Sequence, residues 1–343
     1  MDRANLDWKN LPFGYMNTGV HLEYHFKNGQ WSEAQIVEKD TIELSISASC
    51  LHYGQEAFEG LKAHQHKDGK VTVFRADENG KRMINSAKKL LMAEPPLEMF
   101  LEAVQKIVQL NKRYIPPYGS GASLYIRPLL IGTSGLLGVK PAEEYLFLIF
   151  ASPVGPYFKE GLKPITLYVE EEMKRAAPGG TGDVKVGGNY AASMRVTKKV
   201  RGLGYKEVLY LDAVENKYVD ESGPANFFGI SKEGHYITPE SESILPSITN
   251  MSLMTLAKEE FGIVVEKRPV HVDEVFDFTE AGCCGTAAVI TPVKSITYKD
   301  KTVTFADSDE AGPISQKLYK KLTAIQTGEE EDKYHWNMEI KLD

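Results

Sequence analysis

Residues 181–193 read TGDVKVGGNYAAS, and this run decides how the rest of the chain is read. Lys185 stands among small and turn-forming residues, so its ammonium can be approached closely. Thr181 lies before it; Gly187, Gly188 and Asn189 follow, and then Tyr190. A phenol five residues from an amine can donate a hydrogen bond into the same pocket. That is the equipment of a lysine that forms a Schiff base. Taken alone, a lysine in a Gly-rich loop is most often an ordinary solvated residue, so the remainder of the chain must carry the argument.

At 343 residues the chain suits two domains better than one core. It is 42% hydrophobic and 25% charged, the balance of a soluble globular protein. A net charge of −7 and a pI near 5.7 argue against a nucleic-acid partner, which wants a basic face. The three cysteines, Cys50, Cys283 and Cys284, form no CxxC pattern. They imply a reducing, cytoplasmic compartment and no metal site. No export or transit signal is evident at the N-terminus. The apolar run 145–151 is far too short to span a bilayer, so no membrane partner is expected.

Hairpins are expected at Asn28-Gly29, Asp68-Gly69 and Glu233-Gly234, where turn residues separate alternating segments. Helices are expected over 77–91, over 97–112, after Pro246-Ser247, and over 313–326. The second has an apolar face of Leu97, Leu101, Val104, Ile107, Val108 and Leu110. Strands are expected at 122–131, 145–151, 165–170, 207–211 and 285–291. The Pro- and Gly-rich run 152–164 reads as a linker. The pattern predicts an α+β fold, with a smaller N-terminal domain over 1–155, a linker at 156–164 and a larger C-terminal domain over 165–343. The acidic run 329–332 reads as solvated.

A pyridoxal phosphate site needs an amine, an anion near the pyridine nitrogen, donors for the phosphate and a donor at the ring oxygen. Glu221, in VDESGPANFFGI, could hold the ring nitrogen protonated; alternatively it is an acidic turn residue. Ser247, Ile248 and Thr249 open a helix, and helix N-termini attract phosphate, though a plain Ser cap is commoner. Thr286 follows Gly285 in GCCGTAAVITPV, with a packed core strand as the alternative. Arg82 could fork onto a phosphate, but on the exposed-looking side of its helix it also reads as a surface charge.

The chain resembles a fold-type IV (class IV) aminotransferase, specifically of the branched-chain amino acid family. The matching runs are HYGQEAFEGLKA (52–63), SLYIRPLLIGT (123–133), SPVGPYFKEG (152–161), GGTGDVKVGGNY (179–190), ILPSITN (244–250) and GTAAVITPV (285–293). The resemblance implies two mixed α/β domains with pyridoxal 5′-phosphate at their interface. It implies ping-pong exchange between leucine, isoleucine or valine and 2-oxoglutarate. Lys185 then corresponds to the lysine that binds the cofactor and shuttles the proton, Tyr190 to the ring-oxygen donor, and Glu221 to the partner of the pyridine nitrogen. Arg82, chosen over Arg75 because it precedes the Ser-Ala of its helix, joins Ile248, Thr249 and Thr286 as phosphate contacts. Phe13, Tyr53, Phe58, Tyr125, Arg127 and Tyr157 correspond to the substrate pocket. Thr286 and Ala287 correspond to donors for the substrate carboxylate. Leu137 and Val139 correspond to a loop lent by the neighbouring subunit of a homodimer.

Three departures accompany the resemblance. Ala288 and Thr291 stand where some relatives carry a redox CxxC, so no such switch is expected. Gly223-Pro224-Ala225 replaces a Gly-Thr-Met, and Asn250 replaces a common arginine and is expected to sit outside the first layer of contacts. Other fold-type IV activities, a D-amino acid aminotransferase or an aminodeoxychorismate lyase, share the cofactor residues. A catalytically silent cofactor-binding relative is the non-enzyme alternative.

Overall fold

The computed structural model describes residues 2–157, 162–305 and 309–342. The expected linker at 156–164 therefore lies partly outside the described residues. The chain divides into two compact units. The first takes the residues up to Tyr157, the segment Val184–Gly187, and the residues from Ile325 onward; the second takes the rest.

Alternating patterns and tight turns build the first unit. Its elements are β1 (His21–Lys27), β2 (Gln30–Trp31), β3 (Gln35–Val37), α1 (Ser49–Tyr53), β4 (Glu56–Phe58), β5 (Leu61–Gln65), β6 (Val71–Phe74), α2 (Ala76–Lys89), α3 (Leu97–Leu110), β7 (Ser123–Gly132) and β8 (Tyr145–Val154). All strand pairs of its sheet are antiparallel. The Asn28-Gly29 turn closes β1 onto β2, and Asp68-Gly69 closes β5 onto β6. The core face of α3 is Phe100, Ala103, Val104, Ile107 and Val108, while Leu110 is exposed. The expected stripe is thus rotated toward the phenyl ring, which buries more apolar area. The terminal strand Asn337–Glu339 pairs with β6. The C-terminal segment was expected with the second domain, but its backbone satisfies its hydrogen bonds here.

The second unit holds β9 (Ile165–Glu170), α4 (Gly187–Gly202, entered at Gly188), β10 (Glu207–Leu211), β11 (Val219–Ser222), β12 (Ala225–Ile230), β13 (Tyr236–Pro239), α5 (Ile248–Phe261), β14 (Val265–Arg268), β15 (Glu280–Gly285), β16 (Val289–Tyr298), β17 (Lys301–Thr304) and α6 (Pro313–Gln326, through Ala324). Its sheet is mixed: β9 runs parallel to β10 and β16, and β13 parallel to β14. The expected strand 285–291 is instead broken by a turn at Thr286–Ala288, with Gly285 paired to Val289 across it. Apolar continuity hid that turn from the periodicity. α4, unexpected from sequence, has little amphipathic pattern to announce it. Side chains alternate along β15: Cys283 enters the apolar core, and Cys284 lies beside Tyr236 on the opposite face. Both cysteines are buried.

Glu280 in β15 fastens α6 to the sheet. Its carboxylate accepts from the N–H groups of Ile314 and Ser315 and from Ser315 Oγ, all at 2.9 Å. These are first-turn donors that the helix itself cannot satisfy. We predict that Glu280→Ala lowers the unfolding midpoint by several degrees, following the loss of about 1.5–3 kcal/mol typical of hydrogen bonds to a buried charge. Differential scanning calorimetry against the parent chain reads this directly.

Candidate active site

The Lys185 segment, Val184–Gly187, belongs to the first unit and is held within it. Lys185 N–H donates to Ser86 Oγ at 3.0 Å, and its carbonyl accepts from Phe58 N–H at 3.1 Å. Gly187 N–H donates to the Glu56 carboxylate. A Cβ on Gly187 would fall 1.8 Å from Glu56 Oε1, so only glycine allows that approach. Within the second unit Thr181 Oγ1 donates to Asn189 Oδ1 at 2.8 Å, and Asn189 Nδ2 returns a bond to the Thr181 carbonyl at 2.7 Å.

Lys185 Nζ lies 4.7 Å over the Phe58 ring. Burial pushes its pKa down to about 8, and the Arg82 charge lowers it further against the opposing pull of Glu59. Arg82 is not a surface charge. Its side chain is 10% exposed, and it clasps Glu59 through Nε at 2.7 Å and Nη2 at 2.8 Å. Asn79 Nδ2 donates to the same carboxylate at 2.7 Å. A phosphate would have to meet the other edge of this guanidinium.

A strip of pocket-type side chains runs along β4 and β7 of the same unit. The Arg127 guanidinium lies 5.0 Å over Phe58 and 5.3 Å over Tyr125. It donates to Tyr125 Oη at 3.1 Å. Its Nε is buried without a partner, a donor waiting for an acceptor. Phe13 meets Tyr125 and Tyr157 edge-on at 5.7 and 5.1 Å. A Cβ on Gly60 would lie 2.1 Å from Tyr125 Oη, so glycine there lets the phenol settle against the strand. Tyr53 Oη donates to the Leu137 carbonyl. Leu137 and Val139 themselves are 90% and 85% exposed. The Ala48–Gly135 bridge brings their loop beside exposed Ile46 and Leu51.

The second unit gathers the anion and its support. Glu221 is a buried strand residue in β11, not a turn residue. Burial raises its pKa, and Arg175 opposes that with Nη1 2.6 Å from Oε2. Asn226 Nδ2 donates to Oε1 at 2.8 Å. Arg175 also donates to the Ser243 carbonyl at 3.2 Å. Ser247 is the N-cap of α5, accepting from Asn250 N–H at 3.2 Å. The N–H groups of Ile248 and Thr249 lie in the first turn, where the helix provides no acceptor. Thr286 and Ala287 are half-buried in the turn between β15 and β16, and Gly285 faces open space. That turn ends on Val289 at φ +64°, a left-handed conformation that a β-branched residue avoids. Tyr190 lies half-buried in the first turn of α4.

Arg175, Glu59, Glu56 and Asn226 escaped the sequence reading. One rule could have found the first: a buried carboxylate needs a counter-charge, so Glu221 called for a cation elsewhere. Among the described residues no cluster of histidine, cysteine and carboxylate side chains could hold a metal ion.

Folding lowers the pKa of Lys185 from 10.5 to about 8. The unfolded chain then binds more protons between those values, so stability rises with pH across that window. We predict that the ligand-free parent chain gains stability relative to Lys185→Met as pH rises from about 8 toward 10.5. Denaturant titrations at several pH values check the sign; a flat difference would place the amine in water.

Residues 56–296 match the family described as amino-transferase class IV. The branched-chain-amino-acid aminotransferase of Helicobacter pylori is 47% identical over 337 residues, 98% of each chain. Among solved structures, the Escherichia coli branched-chain amino acid aminotransferase superposes with a TM-score of 0.78 at 29% identity, covering 94% of this chain and 100% of that one. A branched-chain amino acid aminotransferase from T.th., complexed with N-(5′-phosphopyridoxyl)-L-glutamate, gives 0.75 at 28% identity, over 92% and 97%.

Proposed function

This chain belongs to the class IV aminotransferases, within their branched-chain amino acid group, and from that membership we propose the roles of its residues and its acceptor. It is a transaminase that works with pyridoxal 5′-phosphate. The fit rests on the donor set: a buried amine of lowered basicity, a buried carboxylate with a guanidinium partner, and a helix start with unspent N–H groups. When bound, the cofactor supplies an electron sink for charge developing at the substrate α-carbon. Lys185 Nζ takes the α-proton and later returns it. An amine poised near pH 8 suits both tasks. Glu221, whose anionic form Arg175 and Asn226 favour against burial, would hold a proton on the ring nitrogen. Tyr190 donates to the ring oxygen. Arg82, Ile248, Thr249 and Thr286 hold the phosphate.

Thr286 and Ala287 donate to the substrate α-carboxylate. Phe13, Phe58, Tyr125 and Tyr157 form the apolar wall for leucine-like side chains. We assign 2-oxoglutarate as the acceptor, with Arg127 meeting the distal carboxylate of the glutamate it yields. Leu137, Val139 and Tyr53 complete the pocket of a second copy in a homodimer. Among the described residues no helix is long and apolar enough to cross a membrane. A cytoplasmic location accords with three free cysteines.

The observation that carries this reading is the Lys185 loop, an amine clamped by Ser86, Phe58 and Glu56 beside Arg82. Lys185→Ala should bind the cofactor yet lose transamination by several orders of magnitude; turnover above a few per cent of the parent's would mean another residue moves the proton.

Arg127→Ala should slow the half-reaction with glutamate far more than that with leucine. Its Nε has no partner until a second carboxylate arrives, and truncating a buried charged pair costs about 2–5 kcal/mol. Single-turnover rates read from the cofactor spectrum separate the two; equal losses would remove Arg127 from substrate recognition. The exposed Ile46, Leu51, Leu137 and Val139 predict a dimer. A fully active species of monomer mass in light scattering would contradict the shared pocket.

A further inference from the structure

We propose that Asn250 is a positioning residue: it fixes the direction of a hydrogen-bond chain ending on Glu221, and it ties that carboxylate to the first turn of α5. The proposal rests on the reading of Glu221 as partner of the ring nitrogen.

Two backbone carbonyls set the direction of the chain. Thr238 Oγ1 donates to the Phe227 carbonyl at 2.8 Å. A carbonyl only accepts, so the hydroxyl proton is committed there and its lone pairs face Asn250 Nδ2 at 2.9 Å. Asn250 must therefore present its amide nitrogen to Thr238 and its oxygen to Tyr236 Oη, 2.7 Å away. Asn226 is oriented independently. Its Nδ2 lies 3.0 Å from the Leu245 carbonyl, so that end is the donor. The same nitrogen donates to Glu221 Oε1 at 2.8 Å, and its oxygen receives Asn250 Nδ2 at 3.3 Å.

The protons thus run one way, from Tyr236 to Asn250 to Asn226 to Glu221. Each link lies in the interior, where successive hydrogen bonds polarise one another. The chain favours the anionic carboxylate against burial, which still holds the Glu221 pKa above its ordinary value. The other groups facing Glu221 are Arg175 and the Leu245 N–H, which assist, and Asp220 and Cys284, which do not. Asn250 is also the residue whose backbone N–H meets the Ser247 cap. One side chain therefore joins the carboxylate to the helix start that offers the N–H groups of Ile248 and Thr249. Displacing it loosens both at once.

The test uses holoenzyme reconstituted with pyridoxal phosphate carrying 15N in the ring, in the parent, Asn250→Ala, Asn250→Asp and Glu221→Gln. Asn250→Asp keeps the shape and replaces the donor by an acceptor. Tyr236→Phe removes the first proton of the chain, together with the Cys284 contact, and keeps the ring stacked on Phe228 at 4.8 Å, so it covers the case in which the Asn250 variants do not fold. The ring-nitrogen resonance should move toward the neutral position in both Asn250 variants, and less so in Tyr236→Phe. The leucine half-reaction should slow about tenfold or more, and the cofactor dissociation constant of the apoenzyme should rise about tenfold, as for loss of one hydrogen bond to a charged group. Suppose Glu221→Gln moves the resonance while the Asn250 and Tyr236 variants leave it fixed, whatever their melting temperatures. Asn250 is then only structural and the proposal is overturned. A resonance that stays put in Glu221→Gln as well overturns the reading of Glu221 and the proposal with it.

Discussion

The ion pair between Arg175 and Glu221 is the interaction on which the candidate site residues of the second unit depend. A carboxylate in that position is pushed toward its neutral form by burial alone. A neutral acid could not hold a proton on a neighbouring base. Arg175 lowers the pKa again, and Asn226 spends an amide hydrogen on the same end. The pair is a poor source of net stability, since both charges leave water, but removing one partner would strand the other at a cost of about 3–5 kcal/mol. Its value lies in the charge state it favours against burial. Arg82 and Glu59 repeat the device in the first unit, with Asn79 in the place Asn226 holds in the second. In each unit a guanidinium, a carboxylate and an asparagine amide fix one another before any ligand arrives.

What was legible in the sequence was local. Asn28-Gly29, Asp68-Gly69 and Glu233-Gly234 closed hairpins because their turn chemistry needs no distant partner. The helix at 313–326 matched its apolar spacing. Elements defined by distant pairing were not legible. Asn337–Glu339 is a strand only because β6 has an open edge for it. The turn at Thr286–Ala288 hides in an apolar run because Val289 adopts a conformation its side chain opposes. The site divides the same way. Lys185, Tyr190 and Glu221 stand in runs with recognisable neighbours. Arg175 takes its meaning from a carboxylate 46 residues on, by the difference of positions 221 and 175, and nothing in MKRAAPGG announces it. Asn250, expected outside the first layer of contacts, lies one residue removed from Glu221, through Asn226.

The turn after β15 shows why stored strain belongs at such a site. A β-branched residue at φ +64° costs on the order of 1–3 kcal/mol and persists only where its surroundings over-determine it. Here the antiparallel register does so: Cys284 with Ile290 and Gly285 with Val289 fix both ends and leave three residues to reverse the chain. A relaxed, longer loop would let the Thr286 and Ala287 amides wander. A short strained one holds them, as Ser86, Phe58 and Glu56 hold the lysine loop. If the Thr286 and Ala287 amides meet the substrate carboxylate as proposed, donors fixed in advance need no reorganisation when it binds. The strain at Val289 is thus offset by the paired strands on either side, and the stability lost in the turn appears as order in the donors.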